Sequence, residues 1–113
     1  MGKYQLGEFE EIVLLTIGVL YEDAYGVSIK LVIEEKLKRN VSVGALQSAL
    51  KRLGDKGYVS STEGESTSER GGRPKKYFVL TDTGKRAIEY SRQVRNDLYD
   101  QIPKVALSLK GEL

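Results

Sequence analysis

At 113 residues, 40% of them hydrophobic, the chain has material for one small domain with one modest core and not for a second. It contains no cysteine and no histidine, which excludes disulfide frameworks, the usual zinc sites and any catalysis that needs an imidazole or a thiol. The net charge of +2 is too small to point to nucleic acid by itself, so the distribution of charge has to carry that inference.

Between Gly7 and Leu20 the run EFEEIVLLTIGVL predicts a helix, with Glu8, Glu10 and Glu11 where acidic side chains favour a helix N-terminus. Phe9, Ile12, Val13, Leu15, Ile17 and Leu20 cover most of its circumference, so it is expected to be buried on more than one side. Either a central place in the core or partial cover by another subunit would bury it so. Tyr21 to Tyr25 reads as a turn, and Gly26 follows it. A second helix is predicted from about Tyr25 to Lys38, with Ile29, Ile33 and Leu37 four apart and Val27, Leu31 and Val32 beside them.

Ser42 then offers an N-cap hydroxyl to a third helix with an apolar stripe of Val43, Leu46, Leu50 and Leu53. Its opposite face carries Gln47, Ser48, Lys51 and Arg52. Two helices joined by a short turn match the helix-turn-helix plan, in which the second helix enters the major groove; an ordinary solvated face would look the same. Gly57 ends this helix region and Tyr58 and Val59 start an extended run. Ser60 to Ser68 is polar, has no packing content and reads as a long loop. RGGRPKKYFVL then places Arg70, Arg73, Lys75 and Lys76 before the apolar strand Tyr77 to Leu80, as the tip and return strand of a basic β-hairpin over about 58–80.

Those cations give +4 within seven residues, whereas Lys51, Arg52 and Lys56 against Asp55 give residues 41–60 a net +2, and residues 1–20 carry −2. Lysine and arginine there can neutralise phosphates while the adjacent glycines let the backbone approach. Protection of an exposed strand edge is the other use for such charges, and after a helix-turn-helix the DNA reading is preferred. Thr81 caps a last helix, with Asp82 in its first turn and Gly84 inside it. Ala87, Ile88, Ser91, Val94, Leu98, Ile102, Val105 and Leu109 follow at helical spacing for about six turns. That stripe exceeds what a compact winged domain needs, so its C-terminal part is expected to dock on a second copy. Pro103 is expected to kink or break the helix near Ile102.

The expected fold is mainly α with a small β-hairpin (α+β): a winged helix-turn-helix DNA-binding domain over residues 1–81 and a C-terminal dimerisation helix over 82–113. Phe9, Ile12, Leu15, Val94, Leu98, Ile102, Val105 and Leu109 are the expected dimer interface. At the groove, Ser42 and the helix N-terminus would hold phosphate, Gln47 and Ser48 would read bases, and Lys51 and Arg52 would lie beside them. Arg70, Arg73, Lys75 and Lys76 would grip flanking phosphates or a minor groove. Two copies about a two-fold axis would set their recognition helices about 34 Å apart. Paired carboxylates occur at positions read as solvated, Glu10-Glu11 and Glu34-Glu35, and no phosphate-cradling glycine loop follows a strand, so no enzyme, metal or cofactor is expected. No apolar run approaches the roughly 20 residues of a membrane span, and MGKYQLGEFEE lacks signal-peptide character, so a cytoplasmic protein is expected. A winged-helix module that binds protein without sequence-specific DNA binding is the alternative.

In order along the chain, LGEFEEIVLLTIGVL, AYGVSI, SVGALQSALKRLGDKGYV and ERGGRPKKYFVLTDTGKRA resemble the PadR family of bacterial transcriptional repressors. The resemblance is close over residues 6 to about 88, and the remainder looks like the branch with a single C-terminal helix. It implies a sequence-specific, dimeric repressor, held by the C-terminal helix packed on the partner's N-terminal helix and bound to near-palindromic double-stranded operators. By position it puts the recognition helix at Val43 to Lys56 and the wing tip near Arg70 to Lys76. The family commonly has tyrosine where this chain has Gln47; glutamine can bond adenine N6 and N7, so operator sequence does not transfer. Some short members hold flat aromatic compounds between interface tryptophans, and this chain has none. Tyr90, Tyr99 and Phe9 would line a smaller apolar ligand site at the dimer interface, or serve as plain core or interface. A ligand there would act by changing the angle between subunits.

Overall fold

In the computed structural model, which describes residues 4–66 and 74–109, the most apolar helix lies at the centre. This helix, α1 (Glu8–Leu20), packs against α2 (Gly26–Leu37), α3 (Val43–Asp55), the strand β2 (Pro74–Leu80) and α4 (Asp82–Gln101). Its Val13, Leu14 and Ile17 are fully buried and meet Ile29 and Ile33 of α2 and Leu46, Ala49, Leu50 and Leu53 of α3 in one core. Thr16 is buried too, and its hydroxyl donates to the Ile12 carbonyl at 2.8 Å, so that buried hydroxyl is paired. The central-core expectation for α1 therefore holds, while Leu15 and Val19 form a strip that this chain leaves exposed.

A 3-10 turn over Tyr21–Asp23 leads into α2, whose start is fixed by Ser28: its hydroxyl accepts from the Tyr25 N–H and donates to the Asp23 carbonyl. At the other end Lys38 adopts a left-handed conformation (φ 55°). The turn between α2 and α3 is tied by Glu34, whose Oε2 accepts from the Val41 N–H at 2.8 Å and from Lys30 Nζ at 2.9 Å. Ser42 then caps α3, accepting from the Ala45 N–H at 3.0 Å.

After α3 the chain turns at Gly57, whose φ of 78° suits a residue without a Cβ. It continues as β1 (Val59–Ser66), which pairs antiparallel with β2 in the register Val59↔Leu80 to Glu63↔Lys76. The polar stretch expected as a loop from Ser60 is thus a strand as far as Ser66. A two-stranded ribbon that projects past the core satisfies its backbone across the ladder and needs no apolar side chains, so a polar composition did not exclude it. The far edge of β2 meets the domain body, where the Phe78 N–H donates to the Ala24 carbonyl at 2.8 Å.

Thr81 caps α4 as expected, accepting from the Gly84 N–H at 3.0 Å while its hydroxyl donates to the Gly57 carbonyl at 2.6 Å. Gly84 is packed against the Tyr58 backbone just before β1. From Arg92 to Gln101 every residue of α4 is exposed, in a molecule that measures 60 × 33 × 22 Å. The expected break is present: Ile102 is extended (ψ 125°) before Pro103, and a single further turn, α5 (Lys104–Leu107), follows. Among the described residues no helix is long and apolar enough to cross a membrane.

A Cβ on Gly84 would lie 2.0 Å from the Tyr58 carbonyl oxygen, whereas one on Gly54 meets nothing within 4 Å. Gly84→Ala is therefore expected to cost about 1–3 kcal/mol in urea unfolding through backbone displacement. Gly54→Ala, with no clash to relieve, is expected to be neutral or stabilising by up to about 1 kcal/mol.

Candidate nucleic-acid interface

The outer face of α3 presents Gln47, Ser48 and Lys51 to solvent, with the capping Ser42 at its start. Lys51 pairs with Asp55 one turn on at 3.1 Å, but both side chains are largely exposed, so the pair is weak and the lysine can exchange it for another anion. Alternation along β2 turns Phe78 and Leu80 inward and carries Lys76 on the same face, towards α3. Gln47, Lys76 and Phe78 consequently border two adjoining clefts. One, of about 220 Å³, opens towards Tyr25, Val27, Lys30 and Val43; the other, of about 590 Å³, opens towards Lys51, Asp55, Ser60 and Ser61. Helix and wing thus share one surface, more apolar in the first cleft, where Val27, Val43, Leu46 and Phe78 lie, and more polar in the second, where Lys51, Asp55, Ser60 and Ser61 lie.

Lys75 is on the opposite face of β2, its Nζ 4.3 Å from the centre of the Tyr25 ring, which meets Tyr77 edge-on with centroids 5.5 Å apart. These contacts anchor the hairpin to the start of α2. Arg70 and Arg73 lie outside the described residues. Val43, expected in the buried stripe, is 60% exposed and lines the first cleft instead. As the first residue of α3 it has no preceding turn over it, and it faces the cleft that Gly26, Val27 and Lys30 of α2 also line. Tyr25 and Lys30 line the same cleft; Tyr25 falls within AYGVSI but nothing in that motif marks it for this surface, and Lys30 looks like an ordinary helix position.

Arg52 is placed differently from Gln47. Its Nε donates to Glu10 Oε2 at 2.6 Å, while Lys56 Nζ donates to Glu10 Oε1 at 2.6 Å and to the Gln5 carbonyl at 2.9 Å. Glu10, expected to be solvated, is only 6% exposed. Burial pushes its carboxyl up, but the hydrogen bonds from Lys56, Arg52 and the Gly7 N–H outweigh that and hold it below its ordinary value of 4.5. Glu11, also expected to be solvated, is held low by Arg95, whose Nη2 is 2.7 Å from Oε1, against the opposing effect of burial and with help from the Ser91 hydroxyl. Glu34 is likewise paired, with Lys30 and the Val41 N–H lowering its carboxyl. Glu35 alone of these four is exposed.

Of the expected subunit-facing residues, Phe9 and Ile12 are half-buried against this chain's own core, whereas Leu15, Val94, Leu98, Ile102, Val105 and Leu109 are exposed. Tyr90 packs on Tyr4, with centroids 5.5 Å apart, beside a recess of about 220 Å³ that Leu6, Val94, Arg95 and Leu98 also line. Tyr99 and Phe9 do not line it, so the three aromatics are not brought together within one chain.

The family model of the transcriptional regulator PadR-like family matches residues 14–90. No curated protein matches the chain. Among solved structures, a PadR-like transcription factor from Bacteroides fragilis is 26% identical, with a TM-score of 0.67 over 81% of this chain and 84% of that one. The RosR-S1 complex of H. salinarum RosR is 25% identical, with a TM-score of 0.71 over 86% and 79%. A PadR-like transcriptional regulator from Bacillus cereus, 21% identical, shares the fold with a TM-score of 0.70 over 89% and 93%.

Because the folded Glu10 carboxyl is held below 4.5, its contribution to stability is complete above that value and is lost as the pH falls through the lower, folded value. The gap between wild type and Glu10→Gln is therefore expected to be widest near neutrality, at about 1–3 kcal/mol. It should close in acid, as followed by urea unfolding across the pH range.

Proposed function

The chain belongs to the PadR-like family of transcriptional regulators and is a DNA-binding regulator, and from that premise we propose that it is a homodimeric repressor that occupies an operator and blocks transcription sterically. The observation that carries this reading is the shared surface of α3 and β2, where Gln47, Lys51 and Lys76 face the same side. On this reading the part of the chain up to Thr81 reads DNA, and residues 82–113 join two copies.

Gln47, exposed at the middle of the helix face, has the donor and acceptor to bond adenine N6 and N7. Ser48 is its neighbour for a second base contact, and Ser42 still has a hydroxyl proton to give a phosphate while it caps α3. Lys51, Lys75 and Lys76, with Arg70 and Arg73, supply charge to the backbone on either side. Arg52 would reach DNA only by sharing its guanidinium with Glu10.

Dimerisation is supported by the apolar residues that this chain leaves uncovered. Val94, Leu98 and Ile102 on the projecting helix and Leu15 and Val19 on α1 are two exposed strips, and a two-fold axis lets each cover the other's counterpart. Recognition helices would then lie in successive major grooves about 34 Å apart. A small apolar ligand would find its place in the recess beside Tyr90, where the partner's helix would close it, and would act by tilting one subunit against the other.

Leu98→Asp is expected to leave the winged fold intact and to convert a dimer into a monomer in sedimentation equilibrium, with operator binding lost. A monomeric wild type at micromolar concentration would contradict the dimer. Gln47→Ala is expected to cost about 1–3 kcal/mol per half-site on the best sequence and to relax discrimination at one position in each half-site. Lys76→Ala should weaken binding to all sequences and reduce the salt slope by about two, one for each subunit; an effect on one sequence alone would contradict a phosphate-gripping role.

A further inference from the structure

Glu10 and Glu11 are consecutive residues in the first turn of α1, and consecutive side chains on a helix point about 100° apart. Two adjacent carboxylates there address two different neighbours. Glu10 is turned to the C-terminal end of α3, where it accepts from Arg52 and Lys56 at 2.6 Å each. Glu11 is turned to α4, where it accepts from the Ser91 hydroxyl, from Arg95 Nη2 at 2.7 Å and from Arg95 Nε at 3.3 Å. Among the described residues, Glu11–Arg95 is the ion pair that ties α4 to the rest of the chain.

We propose that this pair is a double clasp that fixes the C-terminal helix and the DNA-reading helix on α1, so that Glu11 sets the half-site spacing the dimer accepts and Glu10 the fit of each half-site. The inference rests on the dimeric-operator reading above. Both are positioning residues, since neither faces the surface shared by α3 and the wing.

The placement of Glu11 gives it leverage. Every residue of α4 from Arg92 to Gln101 is exposed, so the direction of the projecting helix is decided at its last attachments, Ser91 and Arg95. In a two-fold dimer joined by that helix, a tilt in one protomer is repeated in the other and the change between recognition helices is doubled. Glu10 acts nearer the DNA. Its carboxylate is buried and both its cations come from the recognition helix region, so it fixes where α3 lies on α1. The two residues therefore have separable effects, Glu10 on the fit of one half-site and Glu11 on the relation between two.

The test uses the full chain, binding by fluorescence anisotropy to its selected inverted repeat, to the same repeat with the spacer lengthened or shortened by one and two base pairs, and to a single half-site. Wild type is expected to prefer one spacing. Glu11→Gln should bind the single half-site as wild type does and lose at least roughly threefold of the spacing preference, and Arg95→Gln, which removes the same contact from the exposed side, should reproduce that loss. The charge swap Glu11→Arg with Arg95→Glu should restore selectivity. Glu10→Gln should weaken half-site binding at every spacing. A spacing-selective wild type with an equally selective Glu11→Gln and Arg95→Gln would overturn this proposal alone. A dimeric wild type indifferent to spacing would overturn the operator reading and the clasp with it.

Discussion

Val13, Leu14 and Ile17 are out of reach of water because α2, α3, β2 and α4 all lie against α1, and each of those elements finds in α1 the wall for its own apolar side. Burying side chains of this size is worth about 1.5–3 kcal/mol each, and in so small a chain there is no second core to make up a loss. The recognition helix, the hairpin and the projecting helix are therefore oriented by one shared support, and a change in how any of them lies on α1 is felt by the others.

The same helix carries the charges that fix its neighbours laterally. Apolar packing sets how close two helices come but leaves sliding and rotation comparatively free, whereas hydrogen bonds from Arg52 and Lys56 to a buried carboxylate fix a direction. The arrangement is favourable because Glu10 is enclosed while its partners stay partly in water, so the cost of desolvation falls mainly on one group that receives three hydrogen bonds. At the far edge of the domain the hairpin is secured by the Ala24–Phe78 backbone bond and by Lys75 and Tyr77 on Tyr25. Lys76 is thereby held across the two clefts from Gln47.

What the sequence made legible were features whose causes are local. Helices α1 to α3 begin and end within a residue or so of the expected bounds because periodicity, Ser42 and the glycine at 57 are written within a turn of where they act. The Thr81 cap and the break before Pro103 are equally local. The chain's PadR-like membership was visible in four short motifs for the same reason. Features with distant causes were not legible. Glu10 and Glu11 look like ordinary acidic residues at a helix start, and their partners are 42 to 84 positions away. The strand from Ser60 takes its conformation from pairing with β2, not from its own composition. Val43 follows the apolar period of its helix, yet the period says nothing about the cleft that opens between it and the start of α2.

The account of function depends on two copies presenting α3 and the wing to one DNA duplex. The most direct measurement is selection of bound sequences by the purified protein from a random double-stranded pool at near-physiological salt. Enrichment of an inverted repeat with half-site centres about one helical turn apart is the predicted result. Enrichment of a single unrepeated site, or of no sequence at all, would contradict it.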